Sequence, residues 1–564
     1  GGSVKYDIME GLSVTGRLRY ERGDEKWIYN EYASSTGGRN QMGTMKDSRI
    51  FSEQMYGDIL ASYNKSWEDT YTLSVTAGSS FTKTTGSSVD LIGWGDSKFS
   101  VVDGKPTGSA YYPNIFSPAN YYRMTTTESL KEKRLNSVFA TAQFGYMEGL
   151  FLDVTARNDW SSALAYTDGV SFFYPSVGVS WIIDRTIKLP SWISFGKIRA
   201  SWAQVGNDLP IGITSPSPQI TAGGIVRQIQ YDFSEDLKPE ISSSWEIGAE
   251  WRFFNNRLDF DFTYYRTDTR NQLLYINTPT GNHPYKYINA GKIRNHGIEL
   301  TIGGTPVMTE NFRWKTNVNF STNKNKVLSL GDNPEFDYGS GVSMPYRMRV
   351  KEGGSLGDIY GNDFARDENG KIIVTDTGAP KIETGNNTLI GNANPDCMLS
   401  WGNTFTYKGF NLYFLFDAAI GGDVISLTQS ALDMRGVSKN SGEARDRGYV
   451  EVEGQRFEGE KIESFYTAVG NRGDGCTSYY RYDRTNIRLR ELSLGYSFPQ
   501  RLLEKTGIFK GIDLSLVARN LFFLYKDAPF DPDAILSVGN ANQGVDIFGM
   551  PTTRNIGFNL KFTF

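Results

Sequence analysis

The chain has 564 residues, with 59 basic and 63 acidic side chains mixed along it and a net charge of -4, so it offers no basic surface for nucleic acid. Its 2 cysteines and 2 histidines rule out a disulfide-dense scaffold and argue against a metal or catalytic centre built from those residues. No apolar run approaches the roughly 18 residues that a membrane-spanning helix needs. Aromatic content of 14% and 60 glycines favour strands, turns and interfacial aromatic girdles.

Apolar and polar residues alternate in segments along the whole chain, which predicts two-faced strands. The first is a stub at residues 4–8, and residues 71–77 repeat the pattern. Residues 245–253 put aromatic and aliphatic side chains on one face and charged ones on the other, an asparagine pair turns the chain, and residues 258–264 alternate again. Residues 312–320 follow the same rule. Charged strand faces are costly in a protein core but suit a water-filled or plugged interior.

Turns and loops alternate in length along the predicted hairpins. Short turns fall at residues 9–11, 67–69, 147–149 and 407–409. Long connections rich in Gly, Asn, Asp, Ser and Tyr fall approximately at residues 23–48, 84–132, 207–242, 326–396, 421–483 and 525–553. Outer-membrane barrels have short periplasmic turns and long extracellular loops. A soluble sandwich or propeller gives no such segregation.

The last strand, at residues 554–564, is similar to the terminal strand of outer-membrane β-barrels. Polar or small residues fill every second position, and the apolar positions are Ile556, Phe558, Leu560, Phe562 and Phe564. We interpret Phe558, Phe562 and Phe564 as a carboxy-terminal barrel-assembly signal. The alternative for this segment taken alone is an ordinary half-buried edge strand.

The predicted fold class is all-β: a large antiparallel transmembrane β-barrel in which residues 1–564 form one domain without a linker. We count about seventeen strand candidates, whereas plugged transporters have about 22, so we expect about five further strands before residue 1. No signal peptide is recognised at the start of the sequence, although a barrel must be exported. We therefore expect the chain to be the carboxy-terminal portion of a barrel whose plug domain lies on another segment.

Several segments, in order, resemble the SusC/RagA-like family of TonB-dependent outer-membrane transporters over essentially the whole chain. They lie at residues 9–20, 153–162, 197–207, 244–265, 289–300, 390–396, 487–499 and 518–524. Each alone is a strand-and-turn pattern of modest specificity, and their order together with the terminal Phe564 carries the resemblance. No plug domain, TonB-interaction segment or leading carboxypeptidase-like domain of this family is recognised in the sequence.

The resemblance implies a gated, Bacteroidetes-type importer of large nutrients, which are oligosaccharides or in some members oligopeptides, with no catalytic chemistry and no cofactor. It also implies a SusD-like surface lipoprotein over the extracellular mouth, energy from the TonB complex through a segment outside this sequence, and a surrounding outer-membrane lipid. A dimer of transporter–lipoprotein pairs is compatible with it. The alternatives are a TonB-dependent receptor for a metal chelate or vitamin, a static pore or adhesin barrel, and, remotely, a soluble glycan-degrading β-protein.

Aromatic residues in the predicted loops are candidates for substrate binding, because a sugar presents both apolar and hydroxyl-bearing faces. The candidates are Trp94, Tyr111, Tyr112, Tyr121, Tyr122, Tyr479, Tyr480 and Tyr482. The alternative is that these rings form a girdle, pack within loops or contact the lipoprotein.

Two other patterns have weaker functional interpretations. Residues 367–370 read Asp-Glu-Asn-Gly, similar to the front of a calcium loop, but no closing glutamate follows, so a simple turn is preferred and calcium is unsupported. Cys397 should lie near the outer end of its strand and Cys476 in the next outer loop, where the two could form a disulfide.

Paired carboxylates raise the question of an enzyme. Glu246 and Glu250, or Asp259 and Asp261, could serve as the acid and nucleophile of a glycosidase. They recur at regular spacing on one strand face opposite an aromatic face, as residues lining a barrel interior do. The sequence therefore does not predict an enzyme.

Overall fold

Seventeen strands form one antiparallel sheet in a computed structural model of the chain, the number that the sequence predicts. The structure describes residues 1–33, 43–68, 70–94, 100–102, 105–107, 114–121, 123–214, 219–220, 226–227, 231–233, 235–277, 285–331, 335–338, 344–504, 507–537, 539 and 542–564. The strands of the sheet are β1 (Gly2–Met9), β2 (Leu12–Glu31), β3 (Thr44–Trp67), β4 (Tyr71–Trp94), β5 (Arg123–Tyr146), β6 (Leu150–Ser161), β7 (Ser171–Ile182), β8 (Ile193–Asn207), β9 (Glu240–Phe253), β10 (Leu258–Arg270), β11 (Lys292–Met308), β12 (Phe312–Ser329), β13 (Cys397–Tyr407), β14 (Phe410–Ile420), β15 (Asn486–Ser497), β16 (Gly511–Lys526) and β17 (Asn555–Thr563).

Short strands and helices lie in the connections. The strands are Ser100–Val102, Lys105–Thr107, Gln219–Ile220, Val226–Arg227, Tyr231–Phe233, Leu273–Asn277, Tyr285–Asn289, Glu335–Tyr338, Tyr346–Lys351, Asp358–Phe364, Ile382–Asn392, Asp423–Ser426, Tyr449–Val452, Gln455–Glu458, Arg481–Asp483 and Val545–Asp546. The helices are α1 (Ile183–Thr186), α2 (Leu427–Met434), α3 (Lys439–Arg447), α4 (Lys461–Val469) and α5 (Gln500–Leu503), with 3-10 turns at Pro118–Asn120, Ser162–Leu164 and Ser478–Tyr480. Within the described ranges, none of the helices has the length and apolar character to cross a membrane.

The chain divides into two compact units. Unit 1 comprises Gly1–Val179, Trp202–Ser243 and Arg270–Asn289, and unit 2 comprises Ser180–Ser201, Ser244–Thr269 and Ala290–Phe564. In unit 1, strands β1 to β6 each pair antiparallel with the next strand along the chain. In unit 2, strands β11 to β17 follow the same consecutive order. Both units therefore contain an up-and-down meander, which needs only local connections.

Three of the predicted short turns, at residues 9–11, 147–149 and 407–409, are confirmed, and residue 69 of the fourth lies outside the described residues. Tyr407 pairs with Phe410 across two residues, Lys408 and Gly409, whose φ angles of 43° and 92° give the turn that matches the twist of paired strands. Gly11 has a φ of 80°, and a Cβ there would lie 2.3 Å from the carbonyl oxygen of Asn64. Only glycine fits that turn.

Strands β2 to β5 are longer than the sequence predicts. The assignment of residues 23–48 and 84–132 to loops is wrong in part, because β3, β4 and β5 each have 24 residues and β2 has 20. A strand of that length extends about 80 Å, whereas about 9–11 residues cross a membrane. Outside hydrocarbon both strand faces can be polar. Hydropathy alternation is therefore lost in the outer halves, which is why the sequence pattern does not reveal them.

The described residues of 344–396, 421–485 and 527–553 fold into what we call the loop module, which has its own helices and apolar core. Serine side chains begin two helices: the Ser426 hydroxyl accepts a hydrogen bond from the Gln429 N–H at 3.0 Å, and Ser438 accepts one from Ser441 at 2.9 Å. Gly448, with a φ of 84°, ends α3. The larger core cluster consists of Phe364, Ile372, Ala444, Val450, Phe457, Ile462, Phe465, Tyr466, Val469, Cys476 and Tyr480.

The possible disulfide between Cys397 and Cys476 is not formed in this structure, where both cysteines are free. Cys476 is 1% exposed inside the core of the loop module, and burial raises the pKa of its thiol to about 11. Cys397 begins β13 and pairs with Ile420 of β14. One cysteine therefore belongs to a core and the other to the sheet.

The final strand, β17, pairs with β16 and exposes its apolar row. Phe558 is 72% exposed and Phe564 is 68% exposed, although the ring of Phe509 lies 5.4 Å from that of Phe562 and 5.3 Å from that of Phe564. A row of exposed aromatic and aliphatic side chains on one strand face is what contact with lipid requires.

We expect Phe564→Asp to lower the amount of assembled barrel several-fold, because it puts a charge in the row that would face lipid. Asn559→Asp is the matched control, since it adds the same charge to the opposite face of β17. The measurement is the heat-modifiable fraction in isolated outer membranes on unboiled gels. Equal amounts of assembled Phe564→Asp and Asn559→Asp would contradict the assignment of the two faces.

A second prediction concerns Asp433, which is 1% exposed in the loop module. One of its carboxylate oxygens accepts hydrogen bonds from Ser438 and Gln429, and the other has no partner among the described residues. Burial raises the pKa of Asp433, although those hydrogen bonds oppose the shift. A carboxyl whose pKa is higher in the folded than in the unfolded state stabilises the fold below the unfolded pKa of about 4 and loses that contribution as pH rises through the native pKa.

The amides of α2 and α3 should therefore exchange more slowly in Asp433→Asn than in the wild type. This difference in exchange rate should be larger at pH 7 than at pH 4. The measurement is amide hydrogen exchange of both proteins at the same pH, which cancels the intrinsic exchange rate. Asp446→Asn, at an exposed position of α3, is the control. Its exchange rates relative to the wild type should not change with pH. A wild-type loop module that gains protection relative to Asp433→Asn as pH rises would contradict the prediction.

Candidate functional site

In unit 1, polar side chains from successive strands lie in register on one face of the sheet. Arg17, Asp58, Ser80 and Ser137 are paired in that order across β2 to β5, and Asp159 of β6 follows. The Asp58 carboxylate accepts hydrogen bonds from Arg17 at 2.7 Å and 2.9 Å and has no exposed side-chain surface. Bidentate pairing of this kind fixes the orientation of both side chains on this face of the sheet. We call these residues the first polar row.

A second polar row crosses β11 to β15 in unit 2. Its members pair in the order Thr301, Asn319, Ser400, Asp417 and Arg488. The Thr301 hydroxyl donates to the Asn319 amide oxygen at 2.9 Å, and the Asn319 amide donates to Ser400 at 3.0 Å. The row thus combines neutral hydrogen-bonding groups with a charged end.

The charged end contains residues that the sequence reasoning missed. Arg488 Nε donates to Asp417 Oδ1 at 3.0 Å, and its Nη2 contacts the Asp533 carboxylate. Arg490 donates to the other oxygen of Asp417 at 2.9 Å. The sequence shows the two arginines close together in a predicted strand, but the register of β15 is irregular at Arg490 on both sides, so alternation alone does not place both on one face.

The tyrosines predicted in the loop module differ in exposure. Tyr480 is 2% exposed and belongs to the core, and Tyr479 packs edge-to-face on Phe465 with ring centroids 5.4 Å apart. Burial raises the pKa of both hydroxyls. Tyr482 is half-buried, packs edge-to-face on Phe530 at 5.7 Å, and burial raises its pKa to about 12. A ring inside the core cannot contact a substrate unless the module rearranges, so the packing alternative fits Tyr480.

Two further aromatic candidates, Trp94 and Tyr121, are described in unit 1. Trp94 ends β4, is half-buried and is paired with Thr44. Tyr121 is 6% exposed and packs with Met45. Tyr111, Tyr112 and Tyr122 lie outside the described residues. Trp94 and Tyr121 belong to unit 1, and Tyr479, Tyr480 and Tyr482 belong to unit 2.

An aromatic pair that the sequence reasoning missed lies on β2. The rings of Trp27 and Tyr29 are nearly parallel, with centroids 5.8 Å apart, and each residue is 46% exposed. Lys46 lies 5.1 Å from the Trp27 ring. The pair was missed because its segment was assigned to a loop, where an i, i+2 spacing carries no meaning.

The weaker motifs have ordinary structural roles. Asp367 accepts hydrogen bonds at 2.9 Å from the N–H groups of Asn369 and Lys371, which makes the segment a hydrogen-bonded turn. Over the described part of the chain there is no group of three or more metal-ligating side chains. The carboxylate of Asp261 pairs with Arg199 at 3.0 Å, and that of Glu250 pairs with Arg252 at 2.7 Å.

Proteins of similar sequence are TonB-dependent receptors. The TonB-dependent receptor P3 of Formosa agariphila is 28% identical over 494 residues, which cover 81% of this chain and 48% of that protein. The TonB-dependent receptor SusC of Bacteroides thetaiotaomicron is 23% identical over 561 residues, which cover 94% of this chain and 54% of that protein. The chain thus spans about half the length of the relatives it matches.

Solved structures of the RagAB peptide transporter have a similar fold. One superposes on 100% of this chain and 61% of that chain with a TM-score of 0.73 and 17% identity. The open-open state of the RagAB peptide importer gives a TM-score of 0.75 at 16% identity, over 100% of this chain and 60% of that one. At these identities the likeness concerns the fold.

The family is decided by a match that covers most of the sequence. A family model described as "TonB dependent receptor-like, beta-barrel" matches residues 2–521. This match agrees with the antiparallel sheet, the short turns and the polar rows. It also confirms the resemblance to TonB-dependent transporters that the sequence analysis found. The chain therefore belongs to the TonB dependent receptor-like β-barrel family and is an outer-membrane β-barrel protein, similar to SusC and RagA.

Proposed function

We propose that this chain forms the greater part of the barrel of an importer that carries large nutrients, oligosaccharides or oligopeptides, across the outer membrane. The observation that carries the proposal is the second polar row, in which neutral amide and hydroxyl groups continue into a buried arginine cluster on one face of the sheet. Such a face suits a large hydrated solute. Similarity to SusC, and in fold to the RagAB transporter, supports the same class of cargo.

The proposal includes two partners: a SusD-like lipoprotein outside the cell, and the TonB complex, which supplies the energy. The loop module offers a surface that a lipoprotein could cover. Met550 is 87% exposed, Val437 is 68% exposed and Phe548 is 66% exposed. Exposed apolar side chains of this size are typical of surfaces that another protein covers. Two transporter–lipoprotein pairs could associate further.

We also propose that the chain performs no catalysis. Two of the four carboxylates that could suggest a glycosidase are paired with arginines: Asp261 with Arg199, and Glu250 with Arg252. Ion pairs between neighbouring side chains on the polar face of a strand are an ordinary role for such carboxylates. Among the described candidates, the half-buried Trp94 and Tyr482 are the aromatic contacts for substrate in this proposal, and Tyr111, Tyr112 and Tyr122 stay predictions.

A strain that lacks the gene and is complemented with the full-length protein tests this proposal. We expect uptake of fluorescent oligosaccharides or oligopeptides to fall to background in the deletion strain and to return on complementation. Deletion of tonB should abolish the restored uptake, and a lipoprotein should co-purify with the tagged transporter in detergent.

Other results would favour the alternatives. Uptake that persists without TonB would indicate a static pore. Competition of uptake by a metal chelate or vitamin, with no lipoprotein co-purified and no oligomer imported, would indicate a receptor of that other class.

A further inference from the structure

A cavity of about 490 Å³ lies along the second polar row in unit 2. Ser400 and Asn319 line its neutral side, and Arg484, Arg488 and Arg490 line its charged side together with Asp417. Pro395 and Asp533, from the connections that follow β12 and β16, complete it. The cavity therefore lies where the sheet meets the loop module.

Arg488 is the central group of the charged side. It is 4% exposed, and the Asp417 and Asp533 carboxylates hold its Nε and Nη2. Its Nη1 is buried and has no hydrogen-bond partner among the residues that the structure describes. Because buried N–H groups are almost always bonded, this donor requires an acceptor that comes from outside the described chain.

Arg484 repeats the pattern beside it. Its Nη1 donates to the Ala393 carbonyl oxygen at 3.0 Å, and its Nη2 lies 3.6 Å from Asp533. Its Nε is buried and, within the described ranges, has no partner. Two guanidinium groups lining the same cavity thus each keep one unused donor.

The charge of the arginines is largely balanced by the aspartates around them. Asp417 accepts from both Arg488 and Arg490, and Asp531, which interacts electrostatically with Arg488, accepts from Thr552. A ligand would thus be recognised by directed N–H donors more than by net charge. A carboxylate is the group whose oxygens best match guanidinium donors, and its charge strengthens each hydrogen bond.

We propose that this cavity binds a carboxylate carried by the transported oligomer, either a uronic acid of an oligosaccharide or a carboxyl group of an oligopeptide. The carboxylate takes the free donors of Arg488 and Arg484, while Asn319 and Ser400 contact neutral parts of the same molecule. This inference rests on the proposed import function and adds to it a preference for acidic cargo.

The test uses the full-length transporter with its co-purifying lipoprotein in detergent and two matched pairs of probes. One pair is a pentagalacturonate and its fully methyl-esterified form, and the other is a pentapeptide with a free and with an amidated carboxy-terminus. Calorimetry measures each Kd. In one of the pairs the acidic member should bind roughly tenfold or more tightly than the neutral member, and that pair identifies the source of the carboxylate.

Arg488→Gln should weaken binding of the acidic probe more than that of the neutral probe, so that their Kd values come within about twofold of each other, because one charge-assisted contact is lost. Arg484→Gln, at a more exposed position, should reduce the preference if Arg488→Gln fails to assemble. Arg519→Gln is the matched control, since Arg519 pairs with Glu491 at 2.9 Å with 60% of its side chain exposed. Heat-modifiability checks assembly of each variant.

The assignment would be overturned if neither pair showed a preference in the wild type, or if an assembled Arg488→Gln variant kept it. Either result would mean that Arg488 only ties the chain segments together. The uptake experiment distinguishes a failure of the carboxylate-site proposal from a failure of the import proposal. TonB-dependent import of neutral oligomers would survive, whereas the absence of any oligomer import would remove both proposals.

Discussion

Backbone hydrogen bonding inside hydrocarbon governs the structure of this chain. A strand in lipid must bond its polar backbone groups to neighbouring strands, because no water is present to satisfy them. The consecutive meanders of both units meet this demand with short turns such as Lys408-Gly409. Alternate side chains then have to face opposite media. The same alternation that exposes Phe558 on one face of β17 places Asp417 and Arg488 on the polar face of their strands.

Sequence periodicity predicts those features of the fold that follow from two unlike faces. It gives the strand number, the hairpin turns and the apolar row of β17, because each depends on neighbouring residues alone. It fails for the outer halves of β2 to β5, where apolar and polar residues do not alternate regularly. It also fails for Tyr480 and Cys476, because the core that buries them is assembled from Phe364, Phe457 and other residues distant in sequence.

The candidate site combines a predictable part and an unpredictable part. The sequence displays Arg488 and Arg490 in one predicted strand, and the structure shows both bonded to Asp417. Asp533 lies 45 residues from Arg488 in a loop, and no local pattern indicates that its carboxylate reaches β15. This contact ties the connection between β16 and β17 to the wall of the sheet. It also uses part of the hydrogen-bonding capacity of Arg488, which leaves the remaining donor for a ligand.

Collision accessibility of spin labels along β14 tests the two-faced wall most directly. Single cysteines at residues 410–417 would carry a nitroxide in the otherwise cysteine-free, full-length protein, reconstituted in liposomes. Labels at Phe410, Leu412, Phe414 and Phe416 should collide mainly with oxygen in the lipid, and those at the intervening positions mainly with a water-soluble nickel chelate. Accessibility without a period of two residues would contradict the assignment of one face to lipid and the other to an aqueous interior.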